Sequence, residues 1–445
     1  MIERARLEGW RVAPTDIYLL LGGEFFLFTL GRSAFGPYAS AVVLYLCSLG
    51  ACVGLYKLTR HRAWPASRPQ SEGGTSQGWA MAAALGLGLW LSVPPYVDAI
   101  RTTVPQDHSD ILMALTVYPQ RWLAGQEVYV PLTAELGYFA LPTYLPGTWF
   151  PFVVPELLQI DYRWVPGAVL GVALAVYFRL LYRQRLTARQ LFALTLLPFA
   201  LLYSVMITEP GVVGWTVELM IVGYYLLLVA SILSPSYWGL AVMLILCLLS
   251  RFSLVFWVPL HLALLFFQQS RRVALGVTAA VAVGILVLYV VPFLSHDWGM
   301  FMRVQAAYTE VGLNEWNHLN AAGRPMHLFN GIGLGNFFYH HMHGPLLERL
   351  QALKTVQVTL LLLTVAGSAW LYWRQQAPRT DYRVFSVIVL KAYLTTFYAF
   401  VQVPYAYLAT VGLFLSLYLA FIAARFGALP ATDAPSGPVE LGAKG

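Results

Sequence analysis

Charged residues are scarce in this chain. Only 11% of its 445 residues are Asp, Glu, Lys or Arg, whereas 58% are apolar and 15% are aromatic. A soluble globular protein carries roughly 25% charged residues, so this deficit excludes a soluble core and indicates a polytopic membrane protein. Long apolar runs that cross lipid must satisfy their own backbone hydrogen bonds, which predicts an all-α fold.

Cysteine is almost absent as well. The three cysteines, Cys47, Cys52 and Cys247, all lie within apolar runs, so we expect no disulfide framework. We also expect no cleavable signal peptide, because the first eleven residues, MIERARLEGWR, are polar and basic. The net charge is +7, but the basic residues are not gathered in one basic domain, which argues against a nucleic-acid partner.

Apolar runs predict about twelve membrane-spanning helices. Their expected limits are 16–31, 37–56, 79–97, 164–182, 187–207, 213–233, 236–250, 252–270, 273–295, 354–373, 384–402 and 405–424. The run at 138–158 contains four prolines, which prevent a lipid-exposed backbone from satisfying its hydrogen bonds. We therefore expect this run to lie on or dip into the outer leaflet.

The charges of the loops predict the orientation of these spans. With twelve spans, one side of the membrane holds 18 of the 28 Lys and Arg residues, mostly in short segments. The positive-inside bias places that side, with both termini, in the cytoplasm. Residues 98–163 and 296–353 then form two long outer segments, which face the periplasm if the membrane is a bacterial inner membrane.

The same pattern divides the chain into four parts. Residues 1–78 hold two spans and a cytoplasmic linker, and residues 79–295 hold a core with the outer loop 98–163. Residues 296–424 hold the second outer loop and the last spans. Residues 425–445 have the composition of a disordered cytoplasmic tail.

The segment DHSDILMALTVYPQRWLAG, residues 107–125, follows the third span. Its apolar residues recur at helical spacing, which predicts an amphipathic helix along the outer surface, and Gly125 can end that helix. Asp107 and Asp110 stand at the start. Two carboxylates there fit favourable contacts with the helix dipole or, alternatively, a base acting on an acceptor hydroxyl.

This arrangement resembles the GT-C superfamily of membrane glycosyltransferases. The spacing from Asp110 to Gly125 is similar to that in the lipid A aminoarabinose transferases, and LAGQEVYVP is similar to the GxxxY element of polyprenol-phosphate-mannose-dependent mannosyltransferases. YFALPTYLPGTWFPFVVP is similar to the Tyr- and Pro-rich segment that follows in both. The similarity covers roughly residues 79–270. It departs from the family at Ile111, where Glu or Phe usually follows the aspartate, and in the two spans that precede the core.

The resemblance implies an inverting glycosyltransferase that uses a polyprenyl-phosphate-sugar donor on the outer face of the membrane. The acceptor hydroxyl would belong to a glycan, a lipid or a protein, and membrane lipids would surround the site. Asp110 would be the general base, with Asp107 and Glu209 as further acidic candidates. A divalent metal is compatible with this chemistry but not required, because a lipid-phosphate leaving group carries charge well.

Basic and aromatic side chains on the outer side supply the remaining candidates. Arginine can hold a phosphate through two parallel hydrogen bonds, and Arg251 lies between two short spans at the outer surface. The candidates for donor phosphate binding are Arg251, Arg324 and Arg121. The candidates for substrate binding are Tyr129, Tyr144, His327 and His340. The HHMH run at 340–343 lacks acidic or cysteine partners at ligand spacing, so we expect no metal site there.

Two alternative functions stay open at this point. A transporter or flippase would show inverted repeats with paired broken helices, and none is evident. An O-antigen polymerase or ligase would depend on outer-loop arginines and histidines, which the segment 296–353 supplies. Glu24, Glu218 and Lys391 lie within predicted spans, where a charge is costly, so each needs a partner or a wet cavity.

Overall fold

A computed structural model describes residues 12–60, 62, 75–102, 110–132, 143–184, 186–234, 236–375 and 380–427. These residues form helices joined by turns, and among them the one extended pairing is an isolated antiparallel bridge between Leu319 and Pro325. The prediction of an all-α fold is therefore confirmed for this part of the chain.

The first half of the chain begins with two apolar helices joined by a π-helical turn, Leu27–Gly31. Its α-helices are α1 (Pro14–Phe26), α2 (Arg32–Thr59), α3 (Thr75–Arg101), α4 (Asp110–Leu123), α5 (Pro146–Trp149), α6 (Val153–Leu158), α7 (Trp164–Tyr182), α8 (Ala188–Thr208), α9 (Gly211–Gly214) and α10 (Glu218–Leu233). A 3-10 turn, Phe150–Phe152, joins α5 to α6.

The second half ends with two long helices that are mostly buried. Its α-helices are α11 (Tyr237–Leu248), α12 (Trp257–Gln268), α13 (Arg271–Ile285), α14 (Met300–Asn317), α15 (Met326–Asn330), α16 (Gly335–His341), α17 (Leu346–Arg374), α18 (Tyr382–Ala399) and α19 (Thr410–Gly427). A 3-10 turn, Ala406–Ala409, leads into α19.

Seven helices in the described ranges are long and apolar enough to cross a membrane. They are Ala34–Thr59, Thr75–Arg101, Trp164–Tyr182, Ala188–Thr208, Arg271–Val290, Leu346–Arg374 and Ala406–Gly427. Three more predicted spans coincide with the shorter apolar helices α10, α11 and α12, and the other two coincide with α1 and α18. The apolar helices indicate a membrane-embedded protein.

The proline-rich run at 138–158 does not form a spanning helix in its described part. Residues 143–158 fold into the short helices α5 and α6 and the 3-10 turn between them. Each is only one or two turns long, because proline removes a backbone donor and clashes with the preceding turn. The described part of this run is therefore not one of the helices long and apolar enough to cross a membrane, and its position in the outer leaflet stays a prediction.

Helix α19 is the centre of the bundle. Every residue from Thr410 to Phe426 is buried, and a helix that is apolar on all faces belongs to the interior of a protein. Helices α10 and α18 pack beside it and are buried along most of their length.

A buried ion pair connects the first two helices to the helices at the centre of the bundle. Glu24 of α1 pairs with Lys391 of α18, and both side chains are almost completely buried. Ser48 and Ser416 donate to the Glu24 carboxylate at 2.6 and 2.7 Å, and Lys391 donates to the Gly412 carbonyl at 2.7 Å. Each charge thus has the partner that a position inside an apolar bundle requires.

The two long segments lie at the same end of the bundle, which we call the loop end. Tyr308 in the second segment donates to the carbonyl of Thr143 in the first at 3.4 Å. The opposite end gathers the start of α3 and the end of α19. There Gln77 donates to the Leu186 carbonyl at 2.9 Å, and Arg62 donates to the Phe426 carbonyl at 3.0 Å.

Candidate functional site

Helix α4 carries the first candidate residue and lies along the loop end. It begins at Asp110, which is exposed, and buries Leu112, Leu115 and Tyr118 as the sequence predicted. The helix ends in a Schellman motif, in which Gln126 donates to the Arg121 carbonyl at 2.8 Å and Gly125 to the Trp122 carbonyl at 3.1 Å. Gly125 has φ +67°, a conformation that glycine adopts without strain. The sequence prediction for the end of this helix is confirmed.

Asp110 interacts with the side chain of Tyr144 across the first outer segment. Burial raises the pKa of Tyr144 well above its usual range, and the charge and hydrogen bond of Asp110 raise it further. The tyrosine therefore stays protonated at neutral pH and can donate to the carboxylate. The tyrosine thus lies beside Asp110, while the exposure of Asp110 leaves the carboxylate accessible to a ligand.

Tyr129 contacts the backbone of Tyr144. Its hydroxyl donates to the Tyr144 carbonyl at 2.9 Å and accepts from the Trp149 indole at 3.0 Å. Its ring packs against those of Tyr118, Trp149 and Phe293 at centroid distances of 5.0 to 6.4 Å. Tyr129 thus belongs to an aromatic cluster that holds the segment carrying Tyr144.

Arg251 lies in the turn between α11 and α12 and is paired with Glu218. Its Nη1 donates to Glu218 Oε2 at 3.1 Å and to the Tyr398 hydroxyl at 3.1 Å, and its Nη2 donates to Glu218 Oε1. Glu218 is the first residue of α10, where the helix dipole also favours a carboxylate. Glu218 is buried, whereas 22% of the Arg251 side chain is exposed, so a ligand can reach the arginine.

The first outer segment docks directly onto the turn that carries Arg251. Gly147 donates to the Leu249 carbonyl at 2.7 Å, and Thr148 donates to the Ser250 carbonyl at 2.9 Å. A Cβ at Gly147 would lie 2.8 Å from the backbone carbon and oxygen of Leu249, so only glycine permits this approach. This contact places the segment of Tyr144 beside Arg251.

Tyr407 lies near charged residues of both the first outer segment and the turn that carries Arg251. It lies within electrostatic reach of Asp110, Glu218, Arg251 and Glu315. We call the group formed by Asp110, Tyr144, Glu218, Arg251, Tyr398 and Tyr407 the central polar cluster.

Glu315, His327 and Tyr405 extend this cluster toward the second outer segment. The Tyr405 hydroxyl donates to Glu315 Oε1 at 3.1 Å, and His327 Nε2 lies 3.5 Å from Glu315 Oε2. The rings of His327 and Tyr405 are 4.7 Å apart. The Tyr405 ring also stacks on that of Tyr407, with centroids 5.2 Å apart, which links Glu315 and His327 to the central polar cluster.

Cavities lie on two sides of the central polar cluster. One is lined by Tyr144, Leu145, Phe252, Tyr289 and Phe301, among other residues. The other is lined by Tyr398 together with residues of α2 and α18, including Leu44 and Leu394. Most of the residues that line both cavities are apolar, but with volumes of about 10 and 30 Å³ the cavities have room for only one or two water-sized groups.

Four of the predicted site residues make their contacts elsewhere. Glu209 pairs with Arg32 at 2.6 Å, and Arg121 donates to the carbonyls of Val128 and Val130 at 3.3 and 2.9 Å. The remaining two lie on the outer rim near Tyr38. There Arg324 lies 5.5 Å from the Phe329 ring, and the ring of His340 lies 6.3 Å from that of Tyr38.

Two further sequence predictions concern Asp107 as an acidic candidate and the presence of a metal site. Asp107, the other acidic candidate before α4, lies outside the described residues. Within the ranges that the structure describes, no group of three or more His, Cys, Asp or Glu side chains is placed to hold a metal ion.

Sequence reasoning missed several residues of the site. Tyr308, Glu315, Tyr398, Tyr405 and Tyr407 were not among the candidates. A signal was present for the last two, because QVPYAYLA at 402–409 places a glutamine, a proline and two tyrosines in the break between two apolar runs. Such polar and aromatic breaks at the end of a span mark a place where the backbone faces protein or water rather than lipid.

Comparisons of the chain with protein-family models, with curated proteins and with solved structures each gave no match.

Proposed function

We propose that this protein is an inverting glycosyltransferase that uses a polyprenyl-phosphate-sugar donor, with its site at the loop end. One observation carries the proposal: the segment of Tyr144, which lies beside the accessible carboxylate of Asp110, docks through Gly147 and Thr148 on the turn that carries the ion-paired and partly exposed Arg251. A base and a phosphate ligand are the two groups that transfer from a lipid-phosphate donor requires.

The reaction assigns one step to each group. The acceptor oxygen attacks the anomeric carbon as Asp110 takes the hydroxyl proton, and the bond from that carbon to the phosphate oxygen breaks. The electron pair leaves on the phosphate, where Arg251 stabilises the charge that develops. Attack from the face opposite the phosphate inverts the anomeric centre.

The contacts of Arg251 leave it able to bind a phosphate. A guanidinium group has five N–H donors, and Glu218 and Tyr398 take three of them in the described residues. The other two, on Nε and Nη2, point to one side as a fork that matches two phosphate oxygens. The ion pair with Glu218 fixes the position of this fork. It also balances the charge of Arg251 when no phosphate is bound.

Replacement of Arg251 tests the phosphate role. Arg251→Ala should weaken binding of decaprenyl phosphate by about 10- to 100-fold, because a hydrogen bond to a charged group contributes about 1.5–3 kcal/mol. Arg251→Lys should recover only part of this, since lysine lacks the fork. Affinity can be measured by titration of the protein in nanodiscs.

The control is Arg303→Ala, which removes an exposed arginine of the loop end that is paired with Asp297. Because Arg251→Ala also leaves Glu218 buried without its partner, the double variant Arg251→Ala/Glu218→Gln should be measured beside it. Wild-type affinity in both Arg251 variants would show that the arginine only partners Glu218.

Orientation in the membrane is part of the proposal. We infer twelve spans, both termini in the cytoplasm and the loop end facing the periplasm of a bacterial inner membrane. The shared end of the two long segments supports this inference, and so does the concentration of Lys and Arg in the short segments of the opposite side.

An O-antigen polymerase or ligase is the second candidate function. The contact of His327 with Glu315 and Tyr405 favours it, since that chemistry would depend on the second outer segment. Loss of activity in His327→Ala with retained activity in Asp110→Asn would support this candidate. The reverse result would support transfer from a polyprenyl-phosphate sugar.

A further inference from the structure

The segment between α18 and α19 is a rigid part of the loop end. Residues 400–409 are clamped by the second outer segment, because Ile332 donates to the Pro404 carbonyl at 3.0 Å and Leu334 to the Ala399 carbonyl at 2.6 Å. The indole of Trp316 donates to the Gln402 carbonyl at 2.8 Å. Side chains of this segment are therefore held in fixed positions beside the central polar cluster.

Tyr405 and Tyr407 form a stacked aromatic pair on this segment, and the ring faces that the stacking leaves uncovered form an aromatic surface. Their rings are nearly parallel, with an interplanar angle of 9° and centroids 5.2 Å apart. Both residues are only half-buried, so part of this surface is open to a ligand. Aromatic rings present large, rigid and weakly polar faces, which suit the C–H face of a sugar ring.

The carboxylate of Glu315 lies beside this surface with unused hydrogen-bonding capacity. Its Oε1 accepts from Tyr405, but its Oε2 is buried and accepts no hydrogen bond from the described residues. His327 Nε2, at 3.5 Å, is beyond the usual N–H···O range of about 2.7–3.2 Å. A buried polar atom without a partner is costly, so this oxygen fits a site that a hydroxyl donor completes.

We propose that Tyr405 and Tyr407 are the platform of an acceptor subsite for a sugar ring, with Glu315 and His327 binding its hydroxyl groups. The acceptor of the reaction is therefore a glycan. This inference rests on the proposed function, because both tyrosines lie within electrostatic reach of Asp110. A sugar on the platform then presents a hydroxyl toward the base, while the donor phosphate lies at Arg251.

Saturation-transfer NMR can detect such a subsite without knowledge of the natural acceptor. The probes are methyl α-mannoside, methyl β-glucoside and methyl β-galactoside, compared with N-acetylserinamide for a protein hydroxyl and glycerol for a lipid hydroxyl. We expect at least one hexoside to receive saturation at its ring protons from the wild-type protein, and the two other probes to receive none.

Variants then assign the signal to this platform. Tyr405→Leu, Tyr407→Leu and Glu315→Gln should each reduce the hexoside signal at least fivefold. Tyr405→Phe should keep most of it, because the ring remains. Tyr38→Leu is the matched control, since it removes a tyrosine from the aromatic group on the outer rim of the same end, and it should leave the signal unchanged.

Two results would overturn the subsite. One is a hexoside signal that stays at the wild-type level in both Leu variants, and the other is saturation of only the serinamide or glycerol probe. Decaprenyl phosphate binding on the same samples separates this proposal from the function on which it rests. Phosphate binding without a hexoside signal rejects the glycan subsite alone, whereas a platform-dependent hexoside signal without phosphate binding rejects the lipid-phosphate donor alone.

Discussion

Asp110→Asn should lower the single-turnover rate of sugar transfer by about 10²- to 10⁴-fold, the usual contribution of a general base. This loss corresponds to roughly 3–5 kcal/mol of activation free energy. The amide keeps the size and polarity of the carboxylate but cannot accept the proton of the acceptor hydroxyl. Folding and donor binding should therefore change little.

The position of Asp110 explains why it, rather than another acid of the loop end, is expected to act. It starts a helix that is anchored by a buried apolar face, and its carboxylate lies near Tyr144. Glu218 is buried against Arg251, and Glu209 is paired with Arg32. Asp110 is exposed, so an acceptor can reach it.

The assay uses protein in nanodiscs with polyprenyl-phosphate donors that carry mannose or 4-aminoarabinose. These are the sugars transferred by the mannosyltransferases and aminoarabinose transferases that this sequence resembles. Asp107→Asn is the matched control and should cost much less, because we assign that residue to the helix start. An inactive Asp107→Asn with an active Asp110→Asn would reverse the assignment. Normal transfer by both variants would leave the carboxylates as helix caps and remove the main support for the proposed chemistry.

Lys391→Met should lower the free energy of unfolding by about 3–5 kcal/mol, the usual cost of leaving one member of a buried ion pair alone. Glu24 would then be an almost fully buried carboxylate with only the hydroxyls of Ser48 and Ser416 as donors. The pair also joins α1 to α18 and α19, so we expect the first two helices to separate from the bundle before the rest unfolds.

The double variant Glu24→Leu/Lys391→Met tests the cause of this loss. It should recover most of the stability, because replacing both members of a buried pair by apolar residues is often neutral or stabilising. Lys354→Met is the control, since Lys354 is only partly buried and donates to Thr309 at 2.7 Å. Unfolding in bicelles can be followed by tryptophan fluorescence. A double variant as unstable as Lys391→Met would show that packing around the pair, rather than charge, is what matters.

The helices of this protein could be predicted from its sequence for a simple reason. Apolar runs of this length have few structures available to them in lipid, so each predicted span coincides with a helix. The helix from Asp110 and its end near Gly125 followed from local signals, namely helical spacing and a residue suited to positive φ. The bounds were less accurate where helices extend beyond the apolar runs, as α17 does before residue 354.

The partners of the buried charges could not be predicted. The sequence shows that Glu24, Glu218 and Lys391 each need a partner, because an isolated charge in an apolar bundle is costly. It does not show which one, since Glu24 and Lys391 are 367 positions apart. Local signals stop within one or two turns of a helix, whereas these pairs depend on how the helices pack.

The same limit applies to the second half of the candidate site. His327 was a candidate because of its residue type. Its neighbours Glu315, 3.5 Å away, and Tyr405, whose ring is 4.7 Å away, lie on α14 and before α19. Arg324 and His340 were candidates for the same reason, and they lie with Tyr38 and Phe329 on the outer rim. Residue type thus selected side chains that lie at the loop end, and packing determined which of them meet.

The most direct measurement is an electron cryomicroscopy structure of the protein in nanodiscs with decaprenyl phosphate bound. We predict that the phosphate lies at the loop end, with oxygens about 2.7–2.9 Å from Nε and Nη2 of Arg251. A phosphate bound at the opposite end of the bundle, near Arg183 and Arg189, or at Arg324 on the outer rim, would contradict it.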